Sequence, residues 1–183
     1  IATALQVKLS PETAPLRRDT PDLRAYEAYL KALDQWAKAT SESLVRVKEF
    51  LDRAVALDPE FAPARSSLGL YYTMLASLGI RPTHEVIPLG RAAVHEALRI
   101  DPSMPEAHAI LGAWAGGYDD YDWHRAQQHW RLALAREPVS SHVCLWYGNH
   151  YLLPLGRFQE ALDAMCQEFV KLSPEFGRME TQK

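Results

Sequence analysis

Histidine and cysteine are the side chains of this sequence best suited to binding a metal ion. The chain contains seven histidines and two cysteines. No two histidines have the His-x3-His spacing and the cysteines do not form Cys-x2-Cys, so the ligand spacing typical of zinc sites is absent. His142 and Cys144 are close in sequence, but residues two apart on a helix do not face each other. The sequence therefore predicts no metal site and no bound cofactor.

An acidic stretch, Asp119-Asp120-Tyr121-Asp122, has the composition of a calcium-binding loop. An EF-hand loop requires glycine at its sixth position and glutamate at its twelfth. Counted from Asp120, those positions hold Arg125 and Arg131. We interpret the stretch as an acidic turn in which Asp122 caps the following helix and interacts with its N-terminal dipole.

Residues for nucleophilic catalysis are not arranged in any recognisable motif. The sequence has no Gly-x-Ser-x-Gly elbow and no phosphate-binding Gly-x-x-x-x-Gly-Lys-Ser/Thr. Cys144 and Cys166 fall on apolar helix faces, where a thiol usually serves packing. Because no acid, base and nucleophile can be combined, the sequence predicts a protein that is not an enzyme.

Composition restricts the function classes further. Hydrophobic residues make up 48% of the 183 residues, which favours a folded core, and the formal net charge of -3 argues against a nucleic-acid module. No apolar run approaches the ~18–20 residues that span a bilayer, so we expect no membrane insertion. The chain begins with Ile1 and shows no signal peptide. We interpret it as a fragment of a longer protein, cytoplasmic or, alternatively, the periplasmic part of a membrane-anchored parent.

A repeated pattern indicates the elements that position these residues. An alanine-containing apolar stretch ending in Asp-Pro or Glu-Pro occurs at 54–59, 97–102 and 133–138, so that Pro59 and Pro102 lie 43 residues apart and Pro102 and Pro138 lie 36 apart. Each unit also carries one glycine at a corresponding position: Gly69, Gly112 and Gly148. Glycine inside a helix costs ~1 kcal/mol relative to alanine, so its recurrence indicates a close approach between two helices. Proline ends the second helix of each unit.

These residues resemble the tetratricopeptide repeat, whose pattern has Leu-Gly, an aromatic residue three positions later, then a second helix with spaced alanines and a final proline. Leu68-Gly69 with Tyr72 fits fully, Leu111-Gly112 is followed by Ala115 where the aromatic is expected, and Tyr147-Gly148 is followed by Tyr151. The resemblance covers residues 22–174. It implies an all-α fold in which antiparallel helix pairs stack into a right-handed superhelix.

The same pattern predicts the organisation of the chain. Residues 1–20 are predicted to be an N-terminal helix and proline-containing linker from a preceding domain, 21–174 an array of three to four helix pairs, and 175–183 a tail. Helices are predicted near 22–38, 42–57, 61–78, 86–100, 104–117, 122–136, 139–153 and 157–172. The 43-residue spacing places ~9 extra residues between Tyr72 and Gly90, in a longer first helix or an elongated loop. Five apolar residues form a stripe on the first predicted helix: Leu23, Tyr26, Leu30, Leu33 and Trp36.

The resemblance also implies a binding site on the concave side of the superhelix. The corresponding first-helix positions of this chain are Ser66, Leu70, Thr73, Glu106, Ala109, Ala113, His142, Leu145 and Asn149. Members of the family that bind chaperone C-termini use lysine and asparagine there to hold a carboxylate. Here only Asn149 matches and no lysine is present, so we expect a protein or peptide partner without such a carboxylate clamp.

The junction from Ile1 to Leu30 resembles one found in large bacterial signalling proteins, which include transcription regulators, adenylate cyclases and serine/threonine kinases. This similarity implies a sensing or docking segment that does not carry out catalysis. The sequence leaves two alternatives open. The chain either docks a separate protein or peptide, or serves as a self-associating or intramolecular spacer that contacts a second copy or other domains of its parent.

Overall fold

The computed structural model describes residues 20–38, 40–118, 121–136 and 139–172, and these residues form helices and connecting turns with no strand among them. The predicted all-α fold is confirmed. The predicted N-terminal helix at 1–9 and the tail at 175–183 lie outside the described residues. The helices are α1 (Leu23–Lys38), α2 (Ser41–Leu57), α3 (Ala62–Ser77), α4 (Thr83–Ile100), α5 (Pro105–Gly117), α6 (Trp123–Ala133), α7 (Ser141–Tyr147), continued by a π-helical segment (Gly148–Leu152), and α8 (Phe158–Leu172).

Neighbouring helices pack as four pairs: α1 with α2, α3 with α4, α5 with α6, and α7 and its π segment with α8. Successive pairs are joined because the first helices also touch one another, α3 against α5 and α5 against α7. Helix α2 contacts α3, and α4 contacts α5. The first helices of the last three pairs therefore lie side by side. None of the helices in the described ranges is long and apolar enough to cross a membrane.

The glycines allow the two helices of a pair to approach closely, as the repeat pattern predicts. A Cβ atom added to Gly69 would overlap Val94 of α4, and its next neighbour would be the Gly90 carbonyl oxygen at 3.4 Å. A Cβ at Gly112 would lie 2.9 Å from the Trp130 ring, and one at Gly148 would lie 2.9 Å from Met165. Each glycine thus faces the second helix of its own pair. The matching alanines of the second helices are fully buried: Ala54, Ala97 and Ala133.

The long repeat has a longer first helix and a longer second helix than the repeat that follows it. Only residues 78–82 separate α3 from α4, so of the two predicted alternatives the longer first helix is observed and the elongated loop is not. Helix α3 has 16 residues against 13 in α5, whereas α4 has 18 against 11 in α6. Helix α4 begins before Pro88, whose position is exposed, so the backbone hydrogen bond that proline lacks is lost on the solvent side.

Side-chain caps fix several helix starts. At α2, the Thr40 hydroxyl accepts from the Ser43 N–H at 3.1 Å, and the Ser43 hydroxyl accepts from the Thr40 N–H at 2.9 Å, which forms a capping box. The predicted cap by Asp122 is confirmed, since its carboxylate accepts from the Arg125 N–H at 2.9 Å. Ser140 caps α7 in the same way through the Val143 N–H.

Candidate functional site

A groove of about 1120 Å³ runs along the starts of the first helices. One side is formed by α1 and the residues before it, and the floor is formed by the beginning of α3. The other side is formed by the connection from α4 to α5 and by Arg136 and Ser140, which precede α7. The groove is preformed, because each of these segments is fixed by the packing of a helix pair. Ligand sites in helical proteins commonly lie in such clefts between elements.

The wall contributed by α1 is apolar because of how this helix packs. A stripe of large apolar residues normally faces the core, but α1 buries its small residues instead. Ala25, Ala28 and Ala32 are at most 4% exposed, while Leu30 and Leu33 remain 46% and 42% exposed. Alanines allow α1 to approach its neighbours closely, so the leucines are displaced onto the opposite face. Both leucines line the groove, together with Tyr26 and Tyr29.

Apolar residues also line the groove at the beginning of α3 and along the connection before α5. Phe61 is buried and meets the Tyr29 ring edge-on, with ring centroids 5.1 Å apart. The apolar surface continues through Pro63, Met104 and Pro105. This arrangement offers hydrophobic contact along the groove, with polar groups at its edges.

Four charged side chains line the groove among its described residues: Glu60, Asp101, Glu106 and Arg136. Glu60 is bound by Arg99 at 2.6 Å, and Asp101 lies 3.4 Å from Arg136. Glu106 accepts a hydrogen bond from the Ser140 hydroxyl at 3.3 Å. Partial burial raises the pKa of Asp101, but hydrogen bonds from Ser103 and the charge of Arg136 outweigh it, so this pKa lies below its ordinary value. The groove is acidic near neutral pH.

The nine residues that the repeat alignment assigned to a groove are only partly brought together. Two of them, Ser66 and Glu106, line the observed groove. Leu70 is half-buried, and three are exposed near the fourth helix pair: His142, Leu145 and Asn149. The remaining three are buried: Thr73, Ala109 and Ala113. The open surface therefore lies closer to the helix starts than the alignment predicted.

Packing explains why the predicted centre of the site is closed. Ala109 and Ala113 belong to a buried core cluster against which Trp146 of α7 packs, so they contribute to the core between the third and fourth helix pairs. The Thr73 hydroxyl accepts from the Trp114 indole N–H at 3.0 Å and donates to the Gly69 carbonyl at 2.9 Å. In this arrangement Thr73, Ala109 and Ala113, like Ser66, are at most 3% exposed, and their role in binding stays a prediction.

The α1 wall and the connection before α5 were not among the predicted binding residues, apart from Glu106 at the start of α5. The α1 wall had a readable signal, because Ala25, Ala28 and Ala32 follow one another at three- and four-residue steps. Such a row of small residues on one face is compatible with close packing of that face against neighbouring helices. Leu30 and Leu33 lie outside this face and therefore remain exposed. Arg136 and Ser140 had no comparable signal, because their approach to the groove depends on how the pairs stack.

Two histidines from different helices, His108 of α5 and His129 of α6, meet beside the groove-forming connection. The Nε2 atom of His108 is 2.9 Å from the Pro102 carbonyl oxygen, which can only accept, so this nitrogen carries the proton. The Nδ1 atom of His108 then accepts from the Nδ1–H of His129 at 3.3 Å. The ring centroids are 5.6 Å apart, close to the Nδ1 separation plus the two ring radii, so the nitrogens face each other directly.

This contact has the geometry of a hydrogen bond and leaves no space for an ion between the nitrogens. Elsewhere too, no three His, Cys, Asp or Glu side chains of the described residues are grouped so that they could hold a metal ion. The histidine pair thus ties α5 to α6. The lowered pKa of His129 in this pair also makes the stability of the fold depend on pH.

Acidification is expected to destabilise the fold through His129. Burial, followed by the positive charges of His108, Arg125 and His95, lowers its pKa from 6.5 to about 4. The unfolded chain therefore takes up this proton first as the pH falls below 6.5, and stability declines until the pH reaches about 4. We expect the thermal midpoint to fall across this interval and to fall less steeply in His129→Gln.

His142→Gln is the matched control, because His142 is exposed. It should leave the pH dependence unchanged. Burial also lowers the pKa of His150, so some dependence remains in His129→Gln. An unchanged slope in that variant would contradict the assignment.

No protein-family model matches this sequence, and comparison with curated proteins finds no match either.

Proposed function

We propose that this chain is a non-catalytic protein-interaction module of the tetratricopeptide type, which docks an extended peptide segment in the groove along the starts of its first helices. The observation that carries this proposal is the apolar wall of α1, where Leu30 and Leu33 are nearly half exposed inside a preformed groove. Grooves of this kind bind a partner by burying its side chains, with no chemical step.

The repeat pattern and the packing support the assignment to this class. Four consecutive helix pairs, glycines at the close contacts and side-by-side first helices are the features expected of such arrays. We include in the proposal the right-handed superhelical arrangement and a regulatory or sensing role within a larger bacterial signalling protein. The resemblance of residues 1–30 to a junction in that group supports this role.

A catalytic role has less support. The close titratable pair His108 and His129 is engaged in its own hydrogen bonds, and the Pro102 carbonyl holds the second nitrogen of His108. In the groove, Glu60 is bound by Arg99, and Asp101 pairs with Arg136, whose charge helps to keep the pKa of Asp101 below its ordinary value. These contacts stabilise the fold and set the distribution of charge in the groove, as an interaction surface requires.

The energetic contribution of the α1 wall can be estimated. Fully burying a leucine side chain contributes about 1.5–3 kcal/mol. Because Leu30 and Leu33 are already half covered, each would add about 1 kcal/mol when a partner completes their burial. Contacts with Tyr26 and Met104 extend the same surface.

Peptide selection tests the proposal. A phage-displayed library of random peptides is selected against the full chain, and the affinities of enriched peptides are then measured by fluorescence anisotropy. Leu33→Asp places a charge on the apolar wall, so we expect affinity to fall about tenfold or more. The same change should lower the unfolding midpoint only modestly, because Leu33 is 42% exposed in the folded chain.

Leu132→Asp is the matched control, since Leu132 is 49% exposed on α6 and does not line the groove. It should bind the enriched peptides as the unmodified chain does. Equal losses in both variants, or no enriched peptide at all, would reject docking in this groove.

Self-association is a second candidate, favoured by apolar side chains on the last helix pair. Phe158 is 69% exposed and Leu162, one turn later on α8, is 54% exposed. A second copy could cover them, as an obligate interface would. Sedimentation of the full chain over a wide range of concentration distinguishes this role, because it predicts a concentration-dependent mass and the docking role does not.

A further inference from the structure

We infer that the peptide taken by this groove is cationic, with an arginine or lysine side chain that binds between Glu106 and Asp101 while its neighbouring apolar residues lie on the α1 wall. This inference rests on the proposed docking function and adds the chemistry of the partner. It follows from the charges that line the groove.

The carboxylates outnumber the cations on the groove surface. The described lining residues include three carboxylates, those of Glu60, Asp101 and Glu106, and one guanidinium, that of Arg136. Arg136 is 3.4 Å from Asp101, and Arg99, from outside the lining, binds Glu60 at 2.6 Å. Glu106 has a hydroxyl partner, Ser140, and no cation in any ion pair of the described residues. One negative charge on the lining is therefore left for a partner to neutralise.

The position of Glu106 suits it to bind such a partner. It lies in the first turn of α5 with an exposed side chain, and its contact with the Ser140 hydroxyl is long at 3.3 Å. A guanidinium or ammonium group would replace this contact with a shorter, charge-assisted hydrogen bond. Asp101, four residues before the start of α5, lines the same side and its pair with Arg136 is also long.

The apolar wall suits the rest of a basic residue. Arginine and lysine carry hydrocarbon stems that lie along apolar surface while the charged group remains near water. The ring of Tyr26 and the side chains of Leu30 and Leu33 offer such a surface on α1. A cation near the face of a tyrosine gains further from the charge distribution of the ring.

An acidic peptide is disfavoured by the same arrangement. Its carboxylates would approach those of Glu106 and Asp101, and like charges repel. Arg136 is the one cation of the described lining, and an acidic peptide that bound it would still face the three carboxylates of Glu60, Asp101 and Glu106. The groove thus discriminates by repulsion as well as by attraction.

The peptides enriched from the random library on the full chain test this inference by their composition. We expect arginine and lysine to be enriched beside leucine or aromatic residues. The affinity of a selected cationic peptide should fall about threefold in Glu106→Gln and about tenfold in Glu106→Lys. It should also weaken as salt is added, because charge attraction is screened.

Glu49→Lys provides the control for a change of net charge, since Glu49 is exposed on α2 and does not line the groove. It should leave the affinity within the error of the measurement. Enrichment of acidic or uncharged peptides, or equal losses in Glu106→Lys and Glu49→Lys, would overturn the inference while leaving groove docking intact. A library that yields no groove-dependent binder would overturn the docking function itself.

Discussion

Replacing Trp114 with alanine is expected to lower the free energy of unfolding by about 3–5 kcal/mol, the usual cost of removing a buried large aromatic side chain. Trp114 is 1% exposed and fills the space next to Gly90, where its ring atoms lie 3.1 Å from the position of a Cβ. It belongs to α5 but packs against α4 and, through Thr73, against α3. Its removal would therefore loosen the contact between the second and third helix pairs. Urea unfolding followed by circular dichroism measures the loss.

Two smaller substitutions separate packing from hydrogen bonding. Trp114→Phe keeps most of the ring but removes the N–H that donates to Thr73, and Thr73→Val removes the acceptor and leaves the indole N–H unpaired. We expect about 1–3 kcal/mol for the second change, because an unpaired buried donor retains its full desolvation cost. A loss in Trp114→Ala no greater than in Thr73→Val would mean that the ring contributes little packing, contrary to its burial.

Replacing Gly69 with alanine is expected to destabilise the fold by about 1–3 kcal/mol, although alanine is favoured over glycine in a helix by about 1 kcal/mol. The new Cβ would overlap the Val94 side chain, which is fully buried and cannot turn away into solvent. Relief would require α3 and α4 to separate, and the Gly90 carbonyl on the same contact limits that movement. Chemical denaturation of the variant measures the cost.

Gly117→Ala is the control for helix propensity. Gly117 ends α5 and a Cβ there would have no neighbour within 4 Å, so alanine should stabilise the chain by up to about 1 kcal/mol. In a Val94→Ala background, Gly69→Ala should lose most of its cost because the overlapping methyl group is gone. Destabilisation that persists in this background would show that the strain arises elsewhere.

The glycines and prolines explain why so much of the fold could be predicted from the sequence. Each acts locally: Pro59 and Pro102 end helices through the backbone of the adjacent turn, and Gly69 and Gly112 mark contacts within one pair. These signals predicted the helices to within a few residues. Helix α4 begins at Thr83, three residues before the predicted start at 86, and Pro88 lies inside the helix as the predicted bounds also have it.

The site was predicted less well because it depends on contacts between pairs. Nothing local to Ala109 and Ala113 indicates that they join a buried core cluster with residues of the fourth helix pair, such as Val143 and Tyr151, about thirty or more residues later. The exposure of Leu30 and Leu33 likewise depends on which face of α1 approaches its neighbours. The meeting of His108 with His129 requires the relative rotation of α5 and α6. Sequence periodicity fixes which face of a helix is apolar, but the depth of packing between helices decides which apolar residues stay open.

The π-helical segment affects how the first helix of the fourth pair packs against α5 and α8. The Leu153 N–H donates to the Gly148 carbonyl at 2.9 Å. This hydrogen bond closes a wider ring than in an α-helix, because it spans one additional residue. Side chains before it, such as Trp146, and those after it, such as Leu153, are thereby rotated relative to their positions on an uninterrupted α-helix. Both parts of the element contact α5 of the preceding pair and α8 of their own pair, so the change of register lets one helix pack against both.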